Sequence, residues 1–373
     1  MRRKEPRDRG TGGAGRPRVI GMKSVSYYVG LDVHRQSVSY CIKRPEGTIV
    51  REGKISAQRQ ALLEWVQSLS SVSWCGGLEA TICSHWIYHL LRPYAAELKM
   101  AHPSRLKALI ASKRKTDCLD ARTLADLLRC DLFPECYVLA PDYEQLRQQL
   151  RYRSLIVRTS VLFKNKTAGL LIENGVPYET SKLHGKKYFA ALLQNAEGMS
   201  EQLHKLLSFN RSQLETLARI DRTIIAILLQ DPLLCDRVQQ LRTVDGVGEI
   251  TALTWVLETG DPARFSNAKQ AVSYCGLCAA QRESAGVSKR GPISHQRNIL
   301  LQTTLIEAAH LAPRFNPTLR AVYPAELAKG HRHRATLEVA RRLVRYLLAI
   351  DRQYFQQHPS LRQRFSGMPD LSR

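Results

Sequence analysis

Four acidic residues stand where carboxylates need a reason to be. Asp32 lies inside the β-rich segment YYVGLDV, where a carboxylate is disfavoured both by strand propensity and by desolvation unless something binds it. Glu79 ends a second apolar segment, within GGLEAT, and the ends of neighbouring strands are where acidic side chains can converge. Asp117 and Asp120 stand three apart at the start of a helix expected over KRKTDCLDARTLADLL, a spacing that puts both on one face. Taken singly, each has a structural explanation, since Asp117 and Asp120 suit a helix amino terminus through capping and the helix dipole. Taken together, two strand carboxylates and a helix-start pair supply the hard oxygen ligands of a phosphoryl-transfer site. Such a site holds two Mg²⁺ ions roughly 3.5 to 4 Å apart against the attacking and leaving oxygens. Lys113, Arg114 and Lys115 directly precede the acidic pair, and positive charge there suits a scissile phosphate.

The elements that must position these residues follow from periodicity. YYVGLDV, SVSYCIKR and GTIVREGKI, the last two separated by Arg44-Pro45-Glu46-Gly47, read as an antiparallel meander. An amphipathic helix near Arg59 to Ser70, the apolar run from Val72, a helix after Ser84 and a short strand at Leu98 to Ala101 complete a mixed α/β sheet with helices on its faces. From about Asp142 to Gln240 the pattern turns to long helical periodicity with breaks at Asn174-Gly175-Val176-Pro177 and near Gly185, predicting a helical, coiled-coil-like arm. From Leu241 a mainly α domain is expected, opening with the helix-hairpin-helix-like TVDGVGEITA. Backbone N–H groups at Gly246 and Gly248 there could hold a phosphate, an ordinary glycine-containing helix connection being the alternative. Arg334 to Gln356 reads as an amphipathic helix with a basic face around Arg341, Arg342 and Arg345. The expected organisation is therefore a disordered basic arm over 1–24 with Met22 as an alternative start, a mixed-sheet domain over 25–141, the arm over 142–240, the second domain over 241–330 and a basic helix and tail over 331–373.

Composition narrows the partners. Of 373 residues, 56 are Lys or Arg against 33 Asp or Glu, a formal net charge of +23. An excess of that size spread along the whole chain points to a polyanion, with nucleic acid ahead of a membrane surface or mere solubilisation. No apolar run is long enough to span a bilayer and no secretory signal is visible, so a cytoplasmic location is expected. The nine cysteines have irregular spacing and read as reduced thiols. Cys275 and Cys278 form a lone CxxC without the second ligand pair zinc would require.

The chain resembles a known family in several stretches at once. Gly30 to His34 (GLDVH), Leu78 to Thr81 (LEAT) and Lys115 to Ala125 (KTDCLDARTLA) are similar to the RuvC-like, RNase H-like amino-terminal domain of the DEDD transposases. These belong to the IS one-ten insertion sequences with the related eleven-eleven group and the Piv-type invertases. The resemblance continues through KNKTAGLLIENG, TVDGVGEITA and LETGDPARFSNAKQAVSYCGL to AKGHRHRATLEVARRLV, in the same order and over nearly everything after residue 24. It implies that Asp32, Glu79, Asp117 and Asp120 ligate Mg²⁺. It also implies a nucleophilic serine in a glycine-containing stretch, here ESAGVSKRGPIS, where register from Gly291 and Ile293 selects Ser284. Ala285 stands where the family usually has glycine, which narrows backbone freedom, and Ser288 and Ser294 remain as alternatives.

In the mechanism the resemblance implies, the serine hydroxyl attacks a DNA phosphate and the phosphodiester energy is conserved through two transesterifications. A structured noncoding RNA of the element would pair with donor and target DNA, leaving the protein to grip backbone and shape. Lys164, Lys166, Lys289, Arg290 and Arg297, with the cations at 113–115 and the glycines at 246 and 248, are the candidate nucleic-acid contacts. The family also implies self-association as a dimer or tetramer, with one subunit's serine domain completing another's RuvC-like site. Two other classes stay open at the level of sequence: a Holliday-junction resolvase or metal-dependent nuclease that needs no serine, and a silent nucleic-acid-binding accessory protein.

Overall fold

The computed structural model describes residues 25–110, 117–195, 199–284, 287–293, 297–359 and 365. The chain divides into two compact units, Met1–Val138 and Leu139–Arg373.

The first unit is built on β1 (Tyr27–Val33), β2 (Ser37–Lys43), β3 (Ile49–Ser56), β4 (Trp74–Glu79) and β5 (Glu97–Ala101), in the order β3-β2-β1-β4-β5. The meander expected from the turn chemistry is present. β1 and β2 pair antiparallel, as do β2 and β3, while β4 and β5 add parallel to β1 and to each other. Gly47, at φ 97°, closes the β2–β3 turn with its N–H on the carbonyl of Arg44 at 2.9 Å.

Side chains alternate across a strand, so the two sheet faces have separate partners. Val29, Leu31 and Val33 of β1, with Val38, Tyr40 and Ile42 of β2 and Trp74 and Leu78 of β4, bury against α1 (Arg59–Gln67) and α2 (Ser84–Leu91). Leu62, Trp65 and Val66 of α1 and Ile87 and Leu91 of α2 complete that core. α3 (Pro103–Leu109) follows β5, and α4 (Asp117–Arg129) covers the opposite face through Ala121, Leu124, Ala125 and Leu128.

The second unit begins with α5 (Pro141–Glu173), a 33-residue helix, followed by α6 (Lys186–Asn195) and α7 (Glu201–Leu228). The break read at Asn174-Gly175 is a helix terminus: Gly175 takes φ 66°, and the Val176 N–H returns to the Leu171 carbonyl at 2.9 Å. A left-handed residue there leaves the last carbonyls satisfied, which is why glycine occupies it. Leu170, Leu171, Val176, Leu183, Phe189, Leu203 and Leu207 form the core of this helical group.

The rest comprises α8 (Pro232–Arg242), α9 (Glu249–Thr259), α10 (Ala268–Tyr274), the hairpin β6 (Ala279–Ser284) and β7 (Val287–Ile293), α11 (Ile299–Phe315), α12 (Pro317–Leu327) and α13 (Arg332–Gln357). α13 buries Ala335, Val339, Ala340, Leu343, Val344, Leu347 and Leu348, the spacing of one apolar helix stripe. Its Asp351 forms a buried ionic centre with Arg237 of α8. Both side chains are 0% exposed, and two N···O contacts of 2.7 Å join them. Gly260 accepts a further hydrogen bond from the guanidinium at 2.7 Å, and the Trp255 indole donates to Asp351 at 2.8 Å. Among the described residues, no helix is long and apolar enough to cross a membrane.

Candidate active site

The strand register sets Asp32 and Glu79 side by side. β1 and β4 run parallel with Leu31 opposite Leu78, so the next residue of each strand, Asp32 and Glu79, stands at the same carboxyl end of adjacent strands. Open α/β sheets present ligand sites at such ends. Both lie two residues beyond a paired glycine, Gly30 and Gly77, and therefore share the glycine face.

That face is the one α4 covers. A Cβ on Gly30 would stand 2.0 Å from the Ala121 carbonyl oxygen and 2.6 Å from the Ala125 nitrogen, and one on Gly77 would meet Phe133 at 2.5 Å and Leu128 at 3.1 Å. The helix backbone rests on the strand backbone because glycine leaves room for it. Two ion pairs fix its direction. Lys43, the β2 partner of Tyr28, reaches Asp126 at 2.5 Å, and Glu52, on β3 beside Cys41, holds Arg122 through contacts of 2.6 and 2.7 Å. The carboxyl half of α4 thus lies toward the start of β1 and its amino end toward Asp32. Position 117 falls one turn before Ala121 on the sheet-facing side, and half-buried Asp120 sits at the edge of that side.

The structure accordingly brings Asp32, Glu79 and the first turn of α4 to one corner of the sheet. Asp32 is 13% exposed, and its Oδ2 lies 3.0 Å from His34 Nε2. Among the described residues no three His, Cys, Asp or Glu side chains already converge on one metal-sized point. The Asp117 side chain lies outside the described residues, as do Lys113, Arg114 and Lys115. Hard carboxylate donors on adjacent strand ends, facing a helix start, fit a divalent cation held by oxygen ligands. Asp32, Glu79, Asp117 and Asp120 are the residues that would hold it.

Sequence reasoning missed the supports of this corner. His34 carried a signal, since it sits two residues from Asp32 on the same side of the chain. Arg122–Glu52 and Lys43–Asp126 carried none, because 70 and 83 residues separate the partners. On the same face, burial pushes the Cys41 thiol up to about 11 despite the nearby Lys43 ammonium.

The other predicted residues fall in the second unit. Ser284 is the last residue of β6 and pairs with Val287, the first of β7, so it stands at a strand end; Ala285 and Gly286 lie outside the described residues. Ser294 lies outside the described residues, while Ser288, Lys289 and Arg290 lie on β7 opposite Glu283, Arg282 and Gln281. Arg297 lies just before α11, and its Cβ would stand 2.4 Å from one placed on Gly276. Gly246 takes φ 93° with its Cβ direction blocked by Ala312 of α11 at 2.7 Å, whereas Gly248 is the amino-terminal cap of α9 with open space beside it. Lys164 and Lys166 are exposed on α5.

The motif LETGDPARFSNAKQAVSYCGL builds scaffold around one buried carboxylate. Glu258 receives two hydrogen bonds from Arg151, at 2.7 and 2.8 Å, and one from Asn298 at 2.7 Å, while its carbonyl accepts from the Tyr274 hydroxyl at 2.8 Å. Burial alone would raise its carboxyl, but the Arg151 and Asn298 hydrogen bonds hold it below the usual range. Asp261 and Asn267 cap the two short helices that follow.

A five-stranded mixed sheet in this order, with helices on both faces and carboxylates at the adjoining strand ends, is consistent with an RNase H-like nucleic-acid-processing domain. Two family models match the chain. One, described as a transposase and named for the DEDD residues of the IS110 elements, covers residues 29–174, and the other, the Transposase IS116/IS110/IS902 family, covers 238–324. The chain belongs to this family of insertion-sequence transposases. It is 25% identical to a putative transposase of Sinorhizobium fredii over 80% of this chain and 76% of that one. It is also 25% identical to a probable family 20 transposase of Pseudomonas aeruginosa, over 77% and 84%. A transposase for an insertion sequence element of Coxiella burnetii shares 23% identity over 63% of each.

Proposed function

We propose that this transposase cuts and rejoins DNA through a covalent serine intermediate, with Ser284 as nucleophile and Asp32, Glu79, Asp117 and Asp120 holding Mg²⁺ at the reacting phosphate. The observation that carries the metal half is the shared corner: Asp32 and Glu79 stand on adjacent parallel strands, on the face against which the first turn of α4 lies. For the serine half, the support is the match of residues 238–324 to the second family model, which spans the β6–β7 hairpin.

In this reading the Ser284 Oγ–P bond forms as a P–O bond to deoxyribose breaks. The serine gives up its proton and the departing sugar oxygen gains one, so the phosphodiester count is unchanged and no nucleotide hydrolysis is needed. Bound Mg²⁺ would stabilise charge on the phosphate oxygens. Attack by the departing or a second strand's hydroxyl on the phosphoserine reverses the bond changes and frees the enzyme. An RNA from the element supplies sequence choice by pairing with donor and target DNA, and the +23 charge serves backbone contacts without base reading. Self-association, as a dimer or tetramer, lets the serine-bearing domain of one copy act with the acidic corner of another.

The test is to incubate the protein with the element's flanking RNA, donor and target DNA and Mg²⁺, and to resolve the products on a denaturing gel. A protein–DNA adduct that needs the RNA and disappears with Ser284→Ala is expected. Nicked DNA with no adduct, or an adduct retained in Ser284→Ala, would overturn the serine role, the first outcome favouring a hydrolytic nuclease.

A further inference from the structure

A second charged site lies within the helical group of the second unit. A cleft of about 480 Å³ opens between α5 and α7 beside the start of α6, a volume in the range of ligand sites. Arg153 and Lys164 of α5, His184 and Lys186 at the start of α6, and Arg211 of α7 line it, against two carboxylates, Glu215 and Asp221.

The carboxylates are already engaged. Arg153 Nε lies 2.8 Å from Asp221, and Arg211 Nε lies 3.0 Å from Glu215. Arg211 also donates to the His184 carbonyl at 2.9 Å, fixing the approach to α6 on α7. Among the described residues, no carboxylate pairs with Lys164 or Lys186. The field in the cleft registers on His184, whose imidazole is held below its usual value by burial and then by the Lys164 and Arg211 cations. The amino end of α6, ten residues long, opens at the same place and adds N–H groups that have no partner within the helix.

We infer that this cleft binds a backbone phosphate of nucleic acid, with Lys164 and Lys186 as its direct ligands and Arg211 as the clamp that holds its wall. The charge and shape call for a phosphodiester; that it belongs to nucleic acid rests on the transposase reading. RNA and DNA share that group, so the experiment carries one arm for each.

Binding of the full-length protein to a labelled RNA hairpin and to a DNA duplex of equal length is measured in EDTA over a series of salt concentrations. Strand chemistry plays no part there, so failure of the serine mechanism leaves the result readable. The Lys164→Gln/Lys186→Gln double variant is compared with Lys182→Gln/Lys205→Gln. The comparison pair removes two lysines from the same helical group that are paired instead with Glu179 at 2.9 Å and Glu201 at 2.6 Å. The cleft variant is expected to lose affinity about tenfold, with the slope of log K against log salt falling by about 1 per lysine. Lys164→Arg/Lys186→Arg is expected to restore most of the loss. Loss on the RNA arm alone, the DNA arm alone or both supports the site and identifies its source. Unchanged binding on both arms, or an equal loss in the comparison variant, overturns it.

Discussion

Gly30→Ala isolates the packing of α4 on β1 from the chemistry it positions. The new methyl would sit 2.0 Å from the Ala121 carbonyl oxygen and 2.6 Å from the Ala125 nitrogen. Both obstacles are helix backbone, which cannot rotate out of the way as a side chain can. Relieving the overlap requires α4 and β1 to separate by about 1 Å, in an interior that has no slack to absorb it. Overpacking of this kind costs about 1 to 3 kcal/mol, and the direct backbone obstruction places Gly30→Ala at the upper end. Asp120 and the start of α4 move with the helix, while Asp32 stays on the strand. A misplacement of catalytic groups by about 1 Å costs on the order of 10²-fold in rate. Thermal melting and the strand-joining assay read the two consequences, with Gly169→Ala as the comparison. That position lies inside α5, about one turn before its carboxyl end, where an added Cβ meets only Glu173 Oε1 at 3.9 Å, so alanine there should hold or raise stability by roughly 0.5 to 1 kcal/mol. A Gly30→Ala protein that melts with the wild type and joins strands at the wild-type rate would refute the placement of α4 against the acidic corner.

Other consequences are as direct. Arg237→Ala removes the ionic partner of Asp351 at a site with 0% exposure, and its stability measured by urea unfolding is expected to fall by about 3 to 5 kcal/mol. Arg151→Met removes the main cause of the depressed Glu258 carboxyl. Because a depressed folded value stabilises above the unfolded carboxylate range and fades as pH falls through it, the melting deficit of Arg151→Met should be largest near neutrality and shrink on acidification; a deficit constant with pH would contradict the assignment. Burial raises the Cys41 thiol to about 11 and the Cys75 thiol to about 12, whereas Cys130 is exposed. Alkylation of the native protein at mild alkaline pH, followed by mass spectrometry, should therefore find Cys130 modified well before Cys41 or Cys75.

Much of the first unit was legible because its signals are local. The Arg44–Gly47 turn, the apolar alternation of β1 and β2, and the runs at Trp74–Glu79 and Glu97–Ala101 each announce their element within a few residues. The Asn174-Gly175 helix end was legible for the same reason, as was the amphipathic α13. The pairing of β6 with β7 was not: Glu283, Ser284, Ser288 and Lys289 have the composition of a loop, and their pairing comes from the partner strand rather than from propensity.

The sequence by itself determined the four acidic positions, the basic charge that points to a polyanion and the order of elements, since residue type and short-range periodicity suffice for these. Tertiary structure decided that Asp32 and Glu79 are neighbours, because parallel register is a property of two strands 47 residues apart and is written in neither. It decided, too, that Gly30 and Gly77 admit a helix and that Lys43 and Glu52 orient it. Lys164 was already a candidate contact in the sequence, but Lys186 and the α5–α7 cleft that the two share emerged only there, because whether a cation has a carboxylate within reach depends on which helices pack together.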